Sequence, residues 1–198
     1  MARWDSLFDD LESQLEQELD AERVDLVAEE ERLRMGRLSL RDRIVAIATS
    51  EVSPELETEL RGSVRMTVRV AAIGRDWVAG DVVGDTRVRA SCVIPLSAVV
   101  AIVPRGDQLA ASRGAAAGNE PSASLSARLG LPFVLRDLSR RRVAVDVVGE
   151  WGARHGTIDR VGRDHIDLAE HDTGTARRES AVRRTLLLPF GGLVSVRY

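Results

Sequence analysis

The sequence contains no lysine, one cysteine and very few aromatic residues. All 28 basic residues are arginine, which we attribute to the codon usage of a high-GC genome rather than to a chemical role. The single cysteine, Cys92, excludes an internal disulfide, and its strand-like surroundings predict a buried, unreactive thiol. Aromatic residues make up only 4% of the chain, so we expect small cores built from Val, Ile, Leu and Ala.

Targeting and membrane-spanning segments are also missing. Asp5, Asp9 and Asp10 interrupt the N-terminus where a signal peptide would carry its apolar region. The longest apolar run, Ala98 to Val103, is far too short to span a bilayer. We therefore expect a cytoplasmic protein without a membrane partner.

The usual enzyme motifs do not occur in the sequence. It has no P-loop, no Gly-x-Ser-x-Gly elbow, no His-Glu-x-x-His zinc motif and no dinucleotide-binding fingerprint. The histidines, His155, His165 and His171, lie near acidic residues, but their spacing matches no zinc motif. We expect them to be solvated side chains of a strand and its hairpin loop. The sequence thus predicts a non-enzymatic protein with no catalytic residue, cofactor, metal or small-molecule substrate.

The net charge of −3 conceals a strong asymmetry along the chain. Residues 1–60 contain 17 acidic and 7 basic residues, whereas residues 61–198 contain 14 acidic and 21 basic residues. This separation predicts either different partners for the two parts or shielding of one part by the other.

The acidic N-terminal segment, residues 1–38, has the pattern of one long amphipathic helix. At 100° per residue, one stripe of large apolar side chains lies within about 60° of Trp4, and polar residues occupy the other faces. Glu18, Glu22 and Glu29 intrude on the stripe, so the pattern does not predict a continuous coiled coil. This arm stripe consists of Trp4, Leu7, Phe8, Leu11, Leu15, Leu19, Leu26 and Leu33. A helix of this length extends about 50 Å, beyond the face of one small domain. We expect the stripe to contact a second copy or a partner protein, the alternative being the chain's own body.

The remainder of the chain contains an internal repeat. The residues from Ile73 to Val78 (IGRDWV) resemble those from Val161 to Ile166 (VGRDHI). Further matches pair Ile94–Ile102 with Leu188–Val196 downstream, and Leu56–Gly62 with Val143–Gly149 upstream. Such self-similarity is the sequence signature of a duplicated structural unit.

Each copy has the pattern of a short helix followed by about five short strands. Val64, Met66 and Val68 alternate with polar residues, which is the period of a half-buried strand. Ser39 with Asp42 predicts a cap for the first helix, over residues 39–50, and the second helix is expected over about 132–141. The predicted domains are the arm (1–38), the first unit (39–104), a flexible linker (105–124) and the second unit (125–198).

The order of one helix and five strands resembles the Sm-like (LSm/Hfq-type) family. The segment from Val93 to Pro104 (VIPLSAVVAIVP) carries the best match, since it resembles the last strand of an Hfq protomer. The whole chain also resembles a group of proteins from high-GC Gram-positive bacteria. The resemblance implies a mainly β fold class with two tandem Sm-like (SH3-like) five-stranded barrels, each preceded by a short helix.

The resemblance does not extend to the family's RNA pocket. Sm proteins hold RNA with an Asp…Asn loop, and here Val78 and Ile166 replace the asparagine. RNA contact would instead involve phosphate groups and clusters of arginine, namely Arg140, Arg141, Arg142, Arg177, Arg178, Arg183 and Arg184. Two functions stay open: a protein-interaction adaptor or regulator that assembles through its arm and barrels, and an RNA-binding Sm-like protein.

Overall fold

The computed structural model describes residues 2–50, 54–84, 91–115 and 125–198, and for residues 2–14, 16–18, 21, 125 and 126 it describes the backbone alone. The chain is mainly β. Ten strands form one antiparallel sheet that is not closed, and a helix precedes each half of that sheet. The mainly β class with a helical N-terminal arm is confirmed, and the strands form one continuous sheet rather than two separate ones.

The elements follow the predicted order. One long helix comes first, and a short helix followed by five strands then occurs two times. The helices are α1 (Ala2–Arg37), α2 (Leu40–Ala48), α3 (Gly106–Arg113), α4 (Leu125–Arg128) and α5 (Leu131–Arg140). The first unit contains β1 (Glu55–Leu60), β2 (Val64–Ile73), β3 (Trp77–Val82), β4 (Ser91–Pro95) and β5 (Val99–Ile102). The second unit contains β6 (Ala144–Gly149), β7 (Gly152–Val161), β8 (His165–Glu170), β9 (Arg184–Pro189) and β10 (Leu193–Arg197).

Helix α2 begins at the predicted cap. The Ser39 hydroxyl accepts from the Asp42 N–H at 3.1 Å, and the Asp42 carboxylate accepts from the Ser39 N–H at 3.0 Å. This reciprocal pair satisfies two backbone donors that the first turn leaves unpaired. Helix α2 then buries Ile44 and Ile47 against its unit, and α5 buries Leu135 and Leu138 in the same way.

The strand order across the sheet is β5-β1-β2-β3-β4-β10-β6-β7-β8-β9, so both units contribute their strands in the same sequence. Their registers agree, since Trp77 pairs with Pro95 and His165 pairs with Pro189. Gly74 and Gly162 form equivalent turns, where a Cβ would overlap the Trp77 indole and the His165 ring. A larger residue at either turn would force that ring to move.

Two of the sequence matches need correction. Leu60 pairs with Val64 and Gly149 pairs with Gly152, so the turn of the second unit is one residue shorter. Leu60 is therefore the counterpart of Gly149. The sequence match placed Gly62 on Gly149 instead, so it was out of register by two residues. The segment from Val93 to Pro104 is not a single strand either, because Pro95 ends β4 and a turn of 3-10 helix precedes β5. Proline cannot donate to a strand ladder, which explains the break.

The predicted flexible linker differs from the structure over α3. The Gln108 side chain donates to the Glu55 carbonyl at 2.7 Å, and Arg43 donates to the Ser112 hydroxyl at 3.0 Å, which hold α3 against α2 and β1. Alanine is the best helix former, so a segment of linker-like composition folds once such contacts are available. Residues 116–124 lie outside the described residues.

Strand pairing between β4 and β10 joins the two units. Val93 pairs with Val196, and two residues further along each strand Ser91 and Tyr198 exchange backbone hydrogen bonds of 3.2 and 2.9 Å. The largest core cluster crosses this junction, because it combines Trp77 and Val93 of the first unit with the apolar face of α5 and the inner side chains of β6 to β10.

A loop of the first unit also binds the start of α5. The Arg75 N–H and the Trp77 indole N–H both donate to the Leu129 carbonyl, at 3.0 and 2.9 Å. The Asp76 carboxylate accepts from the Leu131 N–H at 2.7 Å. This N–H belongs to the first helical turn, where a negative charge is favourable. The junction is therefore built from strand pairing, apolar packing and a helix cap.

Candidate functional site

The arm stripe lies on α1, which runs as one helix across the predicted range. Leu15, Leu19, Leu26 and Leu33 are all exposed. Trp4, Leu7, Phe8 and Leu11 are in the same helix, but their side chains lie outside the described residues. The packing of the four exposed leucines on the chain's own body, the alternative considered from the sequence, does not occur. Val24 and Val27 are exposed as well, on other faces of the helix.

The C-terminal end of α1 is attached to the body through Arg34. Its guanidinium donates to the Ala115 carbonyl at 2.8 Å and to the Arg113 carbonyl, at the C-terminal end of α3 where cations are favoured. It also bonds Glu31 at 2.7 Å and holds the pKa of that carboxyl below its ordinary range. The described ion pairs of α1 are internal to the helix. The acidic arm is thus tied to the body by an arginine rather than by its carboxylates.

Most arginines of the clusters form ion pairs with neighbouring carboxylates, largely at the surface. Arg142 and Arg177 approach one carboxylate, that of Asp159, at 3.4 and 2.6 Å, so the structure brings two clusters together. Arg141, Arg183 and Arg184 pair with Asp137, Asp172 and Glu170 at 3.3, 2.7 and 2.6 Å. Arg140 and Arg178 are exposed. Five of the seven candidate phosphate contacts therefore have an acidic partner within the chain.

The histidines are not all solvated loop residues, and that expectation was wrong for two of them. His171 is buried, with Nε2 at 3.0 Å from the Thr157 hydroxyl and Nδ1 at 3.1 Å from the Asp172 carbonyl. His155 is largely buried, and its Nδ1 lies 2.7 Å from the Asp146 carboxylate. Their rings meet edge to face at 5.3 Å. His165 is the most exposed of the three.

This buried pair offers no reactive nitrogen to a substrate. The His155 Nε2 is shielded from solvent and has no hydrogen-bond partner among the described residues. In the same part of the chain, no group of three or more His, Cys, Asp or Glu side chains is arranged to hold a metal. The arrangement resembles an internal polar core, in which buried imidazoles are held by hydrogen bonds to neighbouring strands.

Cys92 is buried at the junction between the units, in β4. Burial raises the pKa of its thiol to about 11, because the low-polarity surroundings disfavour the thiolate. The thiolate, which is the reactive form, is therefore scarce at neutral pH. This gives a physical reason for the inert thiol predicted from the sequence.

Comparisons with known proteins give no relative from which a function can be transferred. No protein-family model, curated protein or solved structure matches the chain. None of the described helices is both long and apolar enough to cross a membrane. The candidate sites are therefore judged on their own geometry.

Sequence reasoning missed a second group of exposed apolar residues, away from the arm. They include Leu40 at the start of α2, Val100 in β5 and Leu187 in β9. Apolar positions in strands and helices usually face the core, so nothing in the sequence marks these three as exposed.

Proposed function

We propose that the protein is a non-enzymatic, self-assembling adaptor or regulator that contacts another protein chain through the arm stripe. One observation carries the proposal: four leucines in register lie exposed on a helix whose only described attachment to the body is at its C-terminal end. Glu22 and Glu29 lie between the leucines on this face, but the repeated exposure of large apolar side chains along one side of a helix still marks an interaction surface. Full burial of a leucine side chain against a partner would contribute about 1.5–3 kcal/mol of favourable free energy, which is absent while the side chain stays in water.

We further propose that each five-stranded unit is an Sm-like small barrel. The strand order β5-β1-β2-β3-β4 and its repetition as β10-β6-β7-β8-β9 support this assignment. Register shifts interrupt the pairing of β2 with β3, and of β7 with β8, at matching positions. Such bulges bend strands, as the wall of a small barrel requires.

The test of the adaptor function is a pair of glutamate variants of α1. Leu19→Glu with Leu26→Glu places two charges in the stripe, whereas Val24→Glu places one on another, equally exposed face. Light scattering after size exclusion gives the mass of each chain, and co-purification gives its partners. We expect the stripe variant to lose mass or a bound protein and the Val24 variant to keep both. A stripe variant identical to wild type in mass and partners contradicts the proposal.

RNA binding through the arginine clusters is the alternative. Five of the seven arginines already pair with carboxylates of the chain, so phosphate would have to compete with those ion pairs.

A further inference from the structure

Leucine and glutamate alternate on one face of the C-terminal half of α1. From Leu19 to Leu33 a leucine occurs at every seventh residue, and Glu22 and Glu29 each lie three residues after a leucine. In a heptad, the leucines occupy the a positions and the glutamates occupy the d positions. At 100° per residue, all five side chains lie within about 60° of Leu26. We refer to these five residues as the heptad face.

The side chains of the heptad face are exposed, and its two carboxylates are accessible to a partner. Glu29 pairs with Arg32 at 3.3 Å within the helix, where both side chains are mostly in water. Glu22 has no ion pair among the described residues. An exposed pair within one helix contributes little to stability, so a cation from another chain can replace it.

A second copy of the arm does not complement this face. In a parallel pair of helices the d positions face each other, so Glu22 and Glu29 would each meet the same residue of the other copy. In an antiparallel pair each glutamate would lie against a leucine with no cation opposite. Helix α1 carries 12 acidic and 5 basic residues, a net charge of −7, so two arms also repel each other at longer range.

We propose that the arm stripe binds a helix of a different protein, in which apolar residues face the leucines and arginine or lysine residues face Glu22 and Glu29. The proposal rests on the proposed adaptor function and names the partner by its chemistry, a basic amphipathic helix. The glutamates that interrupt the apolar stripe then select the partner rather than merely weaken the contact.

The need for a cation follows from the cost of desolvation. An apolar residue opposite Glu22 would remove water from the carboxylate without replacing it, which is unfavourable. An arginine avoids this cost, because its long apolar stem covers the neighbouring leucine while its guanidinium reaches the carboxylate. The heptad spacing of the leucines requires the partner to be helical, because only a supercoiled helix stays in contact with residues that repeat every seven positions.

The experiment titrates the full-length chain into fluorescent designed peptide helices and follows their anisotropy. Two basic probes carry a leucine at every seventh position, with an arginine either three or four residues after each leucine, to suit parallel or antiparallel pairing. An acidic probe carries glutamate in place of these arginines. A control probe has glutamine at these positions and the same number of arginines on its outer face. We expect one basic probe to bind about tenfold or more tightly than the acidic and control probes.

Charge reversal in the arm tests whether the heptad face is responsible. Glu22→Arg should weaken binding of the basic probe by about tenfold or more, because arginine would then face arginine. Asp20→Arg is the matched control, since it makes the same change of charge at an exposed residue about 160° away around the helix. It should weaken binding by less than about threefold. The double variant Glu22→Arg, Glu29→Arg should prefer the acidic probe, an exchange that misfolding cannot produce.

Three results would overturn the proposal: no binding of either basic probe, equal binding of the basic and control probes, or equal losses in Glu22→Arg and Asp20→Arg. The variant Leu19→Glu, Leu26→Glu then shows whether the adaptor function fails as well. If that variant loses mass or a bound protein, the stripe is still an interaction surface, and its occupant is a second copy or a partner of other chemistry. If it matches wild type, both proposals fail.

Discussion

The core that crosses the junction predicts that the two units unfold together. Leu135 of α5 has no exposed surface and lies in the cluster that also contains Trp77 and Val93 of the first unit. Leu135→Ala removes three carbon atoms, which costs about 2.4 kcal/mol in transfer free energy. Leu131 and Leu138 flank the site on the same helix face and limit its collapse. We therefore expect a total loss of about 3–4 kcal/mol in the free energy of unfolding.

Urea unfolding measures the total loss in the free energy of unfolding. Hydrogen exchange followed by mass spectrometry shows how that loss is distributed among the strands. If the junction couples the units, amides of β1 and β2 lose the same protection free energy as those of β6 and β7. Ile44→Ala, the counterpart in α2, should act in the same way from the first unit. Val83→Ala, at an exposed site, should change stability by less than about 0.5 kcal/mol.

The result that refutes this reasoning is a change confined to one unit. Loss of protection in β6 and β7 alone, with β1 and β2 at their original values, would make the units independently stable domains. The junction would then be a contact between domains rather than a shared core.

Three further outcomes are expected. Cys92 in the folded chain should not react with a thiol reagent at pH 8, because its pKa is raised to about 11, and it should react once urea unfolds the chain. The pKa of Glu170 is lowered chiefly by its hydrogen bond from Arg184, so Arg184→Ala should reduce the free energy of unfolding at pH 7. The difference from wild type should shrink as the pH falls below about 4, because Glu170 then becomes protonated in both chains. In a salt titration, RNA binding by wild type should be weak at low ionic strength, and it should change little in the double variant Arg140→Ala, Arg178→Ala. Tight binding that weakens steeply with salt would support the RNA-binding alternative.

Local features of the fold were predictable because local residues determine them. Ser39 and Asp42 form the cap of α2 within one helical turn. Gly74 and Gly162 mark equivalent turns because a side chain would collide with the ring three residues later. The helical arm follows from a single period sustained over many residues. In each case the decisive contact lies within a few positions along the chain.

The junction could not be predicted in the same way. Val93 and Val196 pair across more than half of the chain, and the alternation of apolar residues in a strand does not specify which edge meets which. His171 was misjudged for a related reason. Its burial depends on a hydrogen bond with Thr157 on the neighbouring strand, and polarity alone suggested exposure.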